Sequence, residues 1–274
     1  MRPRPGPRPC PGPRLGRRPG DRDGGRGGTG TGPAPVVSGD MASRLLLHTR
    51  TADYRYDSLP DAVAAVRALG GFDVEHTEDP AAFQEPLDGY AAVVFLSTSG
   101  EVPTPAGRER PAGYVEAGGG FVGVHAAACT EYGWPYYGEL LGARFTRHPE
   151  YQPGLVVVGD REHPATRHLP AVWRVTDEWY DFDARPRGRV RVPASADESS
   201  YRGGGMGEDH PPAWCRRQGR GRVFCTAPGH AAQVYGDPDF RAHLRGGIGW
   251  AARPGGHRRQ LISMPSSTGK VTLR

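Results

Sequence analysis

Three continuous apolar runs constrain this chain most: RLLLHT at 44–49, YAAVVFLST at 90–98 and GFVGVH at 120–125. Each is short and lacks the polar alternation of a strand with one wet face, so each predicts a strand buried on both faces. SLPDAVAAVRALGG (58–71) reads as a helix, with Ser58 as N-cap, Pro60 in the first turn and Gly70–Gly71 as the stop. FDVEHTE (72–78) is a less apolar strand, expected nearer an edge. TPAGRERPAGYVEAGG (104–119) has helix length, but Pro111 is expected to break or kink it. This βαβαβ rhythm predicts an α/β fold, a mainly parallel sheet with right-handed crossovers and helices on both faces. Ligands in such sheets lie beyond the carboxyl ends of the strands. His48–Thr49–Arg50, the Ser97–Gly100 stretch and His125 therefore come first as candidates for chemistry.

The second half is less regular. Stretches 154–160, 172–180, 189–197, 212–217 and 221–227 read as strands, and 237–252 as a closing helix capped by Asp237. The ends differ from the body. Residues 1–40 hold eleven Gly, nine Pro and eight Arg, too little apolar surface to offset chain entropy. We expect a disordered tail over 1–42, a folded body over 43–252 and a flexible tail over 253–274; Met41 offers an alternative start. The formal charge of +5 sits in the first forty residues, because the remainder carries 27 basic and 27 acidic side chains. A neutral body argues against nucleic-acid binding. No run approaches a membrane span or a signal peptide, so a cytoplasmic protein without a membrane partner is expected. Cys10, Cys129, Cys215 and Cys225 form no CxxC pair; Cys215 and Cys225 flank a hairpin turn and could face each other across it, with buried free thiols the expected state.

The strand–turn junction at His125 is the sharpest local signal. A nucleophile elbow lifts one side chain above the sheet on a strained turn, and Gly123, Ala126 and Ala127 leave room for one. A histidine there suits a general base, a general acid or a metal ligand, or a structural hydrogen bond at a strand end. TDEWYDF (176–182) gathers Glu178, Trp179, Tyr180 and Asp181, as sugar sites do, though a half-buried strand would also read this way. GGGMGEDHPPAWC (203–215) is a glycine-rich loop whose Asp209 could orient His210. His230 falls just past a strand end, His148 stays open, and His163 and His168 read as parts of a turn.

In order along 44–252, TADYRYDSLPDAVAAVRALG, EDPAAF, VVFLSTSG, AGGGFVGVHAAACTEYGWPYYGELLGARFTRHP, DREHPAT, TDEWYDF, GGGMGEDHPPAWC and GHAAQVY…FRAHLRGGIGWA closely resemble the trehalose-utilisation (ThuA-like) family. The resemblance implies a flavodoxin-like fold of the class I glutamine amidotransferase-like type. In that superfamily a Cys occupies the elbow; here Gly123–Val124–His125–Ala126–Ala127 puts a histidine there, so no thioester path exists and a glutaminase is excluded. Family association with disaccharide catabolism implies acid/base or metal-assisted chemistry on a sugar or 3-keto sugar, as an isomerase, lyase or hydrolase. His125, Glu178, His210 and His230 would be catalytic or would hold a divalent metal. Tyr132, Trp134, Tyr180, Asp209 and His148 would contact the sugar. The alternative is a non-catalytic carbohydrate-binding or regulatory domain, and a homo-oligomer is compatible with either. Tyr56 stands where the family usually has histidine, Cys129 where many members have aspartate, and TAPGH departs from the usual approach to His230.

Overall fold

The computed structural model describes residues 42–253; the expectations for the terminal tails and Cys10 fall outside these residues, apart from the boundary positions 42 and 253. The chain runs β1 (Ser43–His48), α1 (Leu59–Arg67), β2 (Phe72–Thr77), β3 (Ala92–Leu96), α2 (Glu109–Glu116), β4 (Gly120–Val124), α3 (Pro135–Leu141) and β5 (Phe145–Arg147). It continues through β6 (Gln152–Val158), β7 (Val172–Asp177), β8 (Asp181–Phe182), β9 (Arg191–Asp197), β10 (Ala213–Gln218), β11 (Gly221–Thr226), α4 (Ala232–Gly236) and α5 (Pro238–Ala251). Nine strands form one sheet in the order β2-β1-β3-β4-β11-β10-β9-β6-β7, and β5 pairs with β8 separately.

The parallel half, β2-β1-β3-β4-β11, has the 2-1-3-4-5 order of flavodoxin-like sheets. β2 is its edge, as its weaker hydrophobicity foretold. The apolar runs bury both faces by strict alternation. Leu45, Leu47, Val94, Leu96, Val122 and Val124 join α1, α4 and α5 in one core. Leu46, Val93, Phe95 and Phe121 turn the other way, toward α2 and α3. From β11 onward the sheet becomes antiparallel through β10, β9, β6 and β7.

Three local expectations change. Pro111 does not break a helix: the segment splits into a 3₁₀ turn at Pro105–Gly107 and α2. Pro111 thus falls in the first turn of α2, where a backbone N–H has no acceptor within the helix. Ser58 sits before α1 but its side chain makes no capping bond; its hydroxyl donates to the His230 carbonyl at 2.7 Å instead. Cys215 lies opposite Phe224, not Cys225, so the two thiols point to opposite faces of the sheet. Both are buried and free. Asp237 caps α5 as read, accepting from Phe240 N at 2.9 Å. No helix among the described residues is long and apolar enough to cross a membrane.

Candidate active site at the strand ends

Adjacent parallel strands β4 and β11 pair Val124 with Thr226, so the residues just beyond them, His125 and Ala227, lie side by side. His125 opens a 3₁₀ turn over His125–Cys129 and has a φ of 53°, a costly conformation for a residue with a Cβ. The elbow geometry is therefore present. Gly229 closes over it: a Cβ there would meet His125 Cβ at 3.0 Å and the Tyr235 hydroxyl at 2.8 Å.

The hydrogen bonds fix the tautomer of His125. Its Nδ1 is 2.7 Å from the Ala227 carbonyl, which can only accept, so Nδ1 carries the proton. Burial pulls its pKa down to about 4, although the Glu178 carboxylate works the other way. The ring is thus neutral near pH 7 and its Nε2 is a lone pair. Tyr180 donates its hydroxyl to that lone pair at 3.0 Å, and the Tyr56 hydroxyl stands 3.3 Å from Tyr180's. Tyr56 also sets its ring edge-on to His125 at 4.9 Å and to His230 at 5.6 Å.

Glu178 follows β7 directly and is buried. Its Oε2 lies 3.6 Å from His125 Nε2 and 3.1 Å from His230 Nδ1; its Oε1 lies 3.5 Å from His148 Nε2. The 3.1 Å approach is off-axis, so neither Glu178 Oε2 nor His230 Nδ1 completes a directional hydrogen bond. Burial would lower the pKa of His230, but the carboxylate outweighs it and the net direction is up. For Glu178 the same attraction outweighs burial and the direction is down. His148 repeats the arrangement of His125: its Nδ1 is 2.7 Å from the Pro149 carbonyl, which leaves Nε2 directed at the carboxylate when the ring is neutral.

Asp177, the last residue of β7, underpins the cluster. Buried, it accepts backbone N–H bonds from Glu178 at 2.8 Å, Gly229 at 2.9 Å and His230 at 3.2 Å. Burial pushes its pKa up to about 7 against those donors. The side chain thus ties the β7 end to the loop carrying His230. Nothing in TDEWYDF distinguished it from an ordinary strand residue; its role depends on the contact with 229–230, more than fifty residues away in sequence.

The other sequence candidates divide. His125, Glu178, His230, His148 and Tyr180 come together. His210 does not join them: its Nε2 donates to the Tyr180 carbonyl at 3.0 Å, and its Nδ1 meets Glu198 at 2.9 Å and Tyr201 at 2.8 Å. Asp209 does not orient it but pairs with Arg187 at 2.6 Å. Tyr132 donates to the Phe145 carbonyl at 2.7 Å beneath the Arg144 guanidinium. Trp134 stacks on Tyr137. Tyr56 and Tyr151 were missed as site groups; the Tyr151 ring lies 5.4 Å from His230. The donor atoms of His125, Glu178 and His230 lie within 4.8 Å of one another, a set able to hold a metal ion.

A parallel 2-1-3-4-5 half-sheet with a histidine elbow and a facing carboxylate defines an α/β protein whose candidate site lies at the strand ends, with no thiol at the elbow. The trehalose utilisation (ThuA) family profile matches residues 44–251, and the chain belongs to that family. A ThuA-like protein from Bacteroides uniformis is 28% identical with a TM-score of 0.68, over 80% of this chain and 94% of its own. A ThuA-like protein from Parabacteroides merdae is 22% identical with a TM-score of 0.65, over 77% and 90%. The fold also resembles part of a β-galactosidase from Bacillus circulans, at 14% identity and a TM-score of 0.52, over 76% of this chain and 30% of that one. No curated protein sequence matches the chain.

Proposed function

We propose that this ThuA family member moves a proton at a sugar carbon next to a carbonyl, with a 3-keto glycoside as substrate. The observation that carries the reading is the pair of imidazoles, His125 and His148. Each is anchored through Nδ1 on a backbone carbonyl and directs Nε2 toward one oxygen of the buried Glu178. Imidazoles of fixed tautomer are oriented proton acceptors, that of His125 once substrate displaces the Tyr180 hydroxyl from its Nε2. His230, whose pKa the Glu178 carboxylate raises, supplies the opposite function, an acid beside the acceptors. The rings of Tyr56, Tyr151 and Tyr180 surround the group and suit the apolar face of a sugar.

In this reading an imidazole Nε2 takes the C2 proton of the sugar. The C–H electron pair forms the C2–C3 double bond, and the C3 carbonyl electrons move onto oxygen. His230 hydrogen-bonds or protonates that oxygen. The enolate then takes a proton back at carbon, or expels the glycosidic oxygen from C1, which leaves with a proton. Asp177 and Tyr180 hold the acid and the elbow imidazole in place.

The test is exchange of the carbon-bound proton. The full chain, incubated with 3-keto-trehalose in D2O, should place deuterium next to the ketone, read by NMR. Glu178→Gln should suppress exchange by about 10²–10⁴-fold. Absence of exchange with the wild-type chain, across several 3-keto glycosides, overturns the reading.

A further inference from the structure

We propose that His125 Nε2, Glu178 Oε2 and His230 Nδ1 bind one divalent transition-metal cation. The argument begins with donors left incomplete. Glu178 Oε2 and His230 Nδ1 are both buried and meet as an ion pair at 3.1 Å that completes no directional hydrogen bond for either atom. A buried polar atom in that condition is costly unless something else completes it. His125 adds a third donor to the same point, its Nε2 3.6 Å from the same oxygen. That nitrogen bears a lone pair because Nδ1–H is committed to the Ala227 carbonyl, the outer-shell anchoring that metal-binding histidines ordinarily have.

The spacing also fits. Donors bound at roughly 2.0–2.2 Å from one ion sit about 3.0 Å apart at right angles and about 3.4 Å apart at tetrahedral angles. The observed 3.1 Å falls inside this range and 3.6 Å just above it, with all three donor atoms within 4.8 Å of one another. Two imidazoles and one carboxylate form a donor set suited to Zn²⁺, Co²⁺ or Fe²⁺ and poorly suited to Ca²⁺ or Mg²⁺, which take mainly oxygen. The Tyr180 hydroxyl now uses the His125 lone pair at 3.0 Å, so it competes with the ion and must swing away when the ion binds.

This inference deepens the proton-transfer reading and rests on it for its chemical purpose. The cation would take over from the His230 proton as the group that stabilises the enolate oxygen, and His148 would remain as the proton acceptor. Binding itself can be measured without turnover. The full chain, stripped with chelator, is titrated with Zn²⁺ by calorimetry and with Co²⁺ by visible absorption. The expected result is one equivalent and a Co²⁺ spectrum of an imidazole-containing site. Glu178→Gln and His230→Gln should each weaken binding by roughly 100-fold or more. Tyr180→Phe, which removes the competing hydroxyl, should bind at least as tightly as the wild type. His148→Gln should keep the ion and lose deuterium exchange.

No saturable Zn²⁺ or Co²⁺ binding by the wild-type chain overturns the proposal. So does binding that survives both ligand substitutions. The wild-type Co²⁺ spectrum does not depend on whether any variant folds. Deuterium exchange that persists in chelator refutes the cation's part in it and leaves the proton-transfer reading standing. Ion binding without exchange on any 3-keto glycoside does the reverse.

Discussion

Two clusters in this protein contain the same chemical types and behave differently. One joins His125, Glu178 and His230; the other joins Asp181, Glu198 and His210, also close enough to hold a metal ion. In the second, each carboxylate has donors. Glu198 accepts from Met206 N and Gly207 N, both at 2.8 Å, and contacts His210 at 2.9 Å. Asp181 accepts from Gly205 N at 3.1 Å and pairs with Arg147. The glycine-rich loop is shaped for this: a Cβ at Gly204 would meet the Glu198 carboxylate at 2.5 Å, and one at Gly205 would meet Asp181 at 2.4 Å. The first cluster leaves Glu178 Oε2 and His230 Nδ1 ion-paired but without a directional hydrogen bond. Completed donors make structure, and incomplete ones in a buried site are available for a ligand.

The largest expected effects come from exchanging damage between the clusters. Glu178→Gln keeps the size of the side chain and should cost about 10²–10⁴-fold in turnover of a 3-keto glycoside, with little change in Tm. Glu198→Ala should leave two backbone amides short of an acceptor. Its stability loss should be on the order of 2–4 kcal/mol by urea unfolding, with turnover per folded molecule reduced much less. If Glu198→Ala instead abolishes turnover in a fully stable protein, the division between the clusters fails.

The same contrast explains what could be read in advance. The parallel half was legible because continuous apolar runs have few alternative fates, and His125 was legible because it ended one of them. His230 was also within reach, placed just past a strand, and Glu178 was within reach through the carboxylate and aromatic run TDEWYDF. His210 was misplaced for a physical reason. Sequence supplies the donor type, but whether a histidine faces a ligand or a backbone carbonyl depends on loop 198–210 folding back under Tyr180. Asp177 was invisible for the converse reason: its partners are backbone amides, which every residue has. Ser58 looked like a cap because serine before a helix usually is one, but its backbone is already helical and its hydroxyl is turned to donate to a remote carbonyl.

Three histidines outside both clusters extend the comparison to acid. Burial holds His48, His163 and His243 down at about 4. His48 lies between Phe83 and Phe95 with neither ring nitrogen hydrogen-bonded. Each has an unfolded value near 6.5, so below that pH the unfolded chain binds protons the folded chain refuses. Stability from this source is complete above pH 6.5 and falls as the pH drops toward 4, by at most about 2 kcal/mol per histidine at pH 5. Urea unfolding at pH 7.5, 6 and 5 should show this decline, and His48→Phe or His48→Leu should flatten part of it. A denaturation midpoint that holds steady from pH 7.5 to 5 would sink the assignment of these rings as neutral.

The smallest effect tests how the incomplete cluster is kept in position. Ser58 donates to the carbonyl of His230, while Asp177 holds the amide of the same residue; the imidazole between them is only partly exposed. Removing one neutral hydrogen bond typically costs about 1 kcal/mol. Ser58→Ala should therefore lower stability by roughly that amount and blunt turnover by less than about tenfold. Ser58→Thr retains a donor and should recover part of both. Because Ser58 touches no proposed ligand atom, Zn²⁺ binding should weaken only slightly, in contrast to His230→Gln. An effect on turnover as large as that of Glu178→Gln would mean that the loop carrying His230 moves during the reaction and that the Ser58 hydroxyl controls the movement.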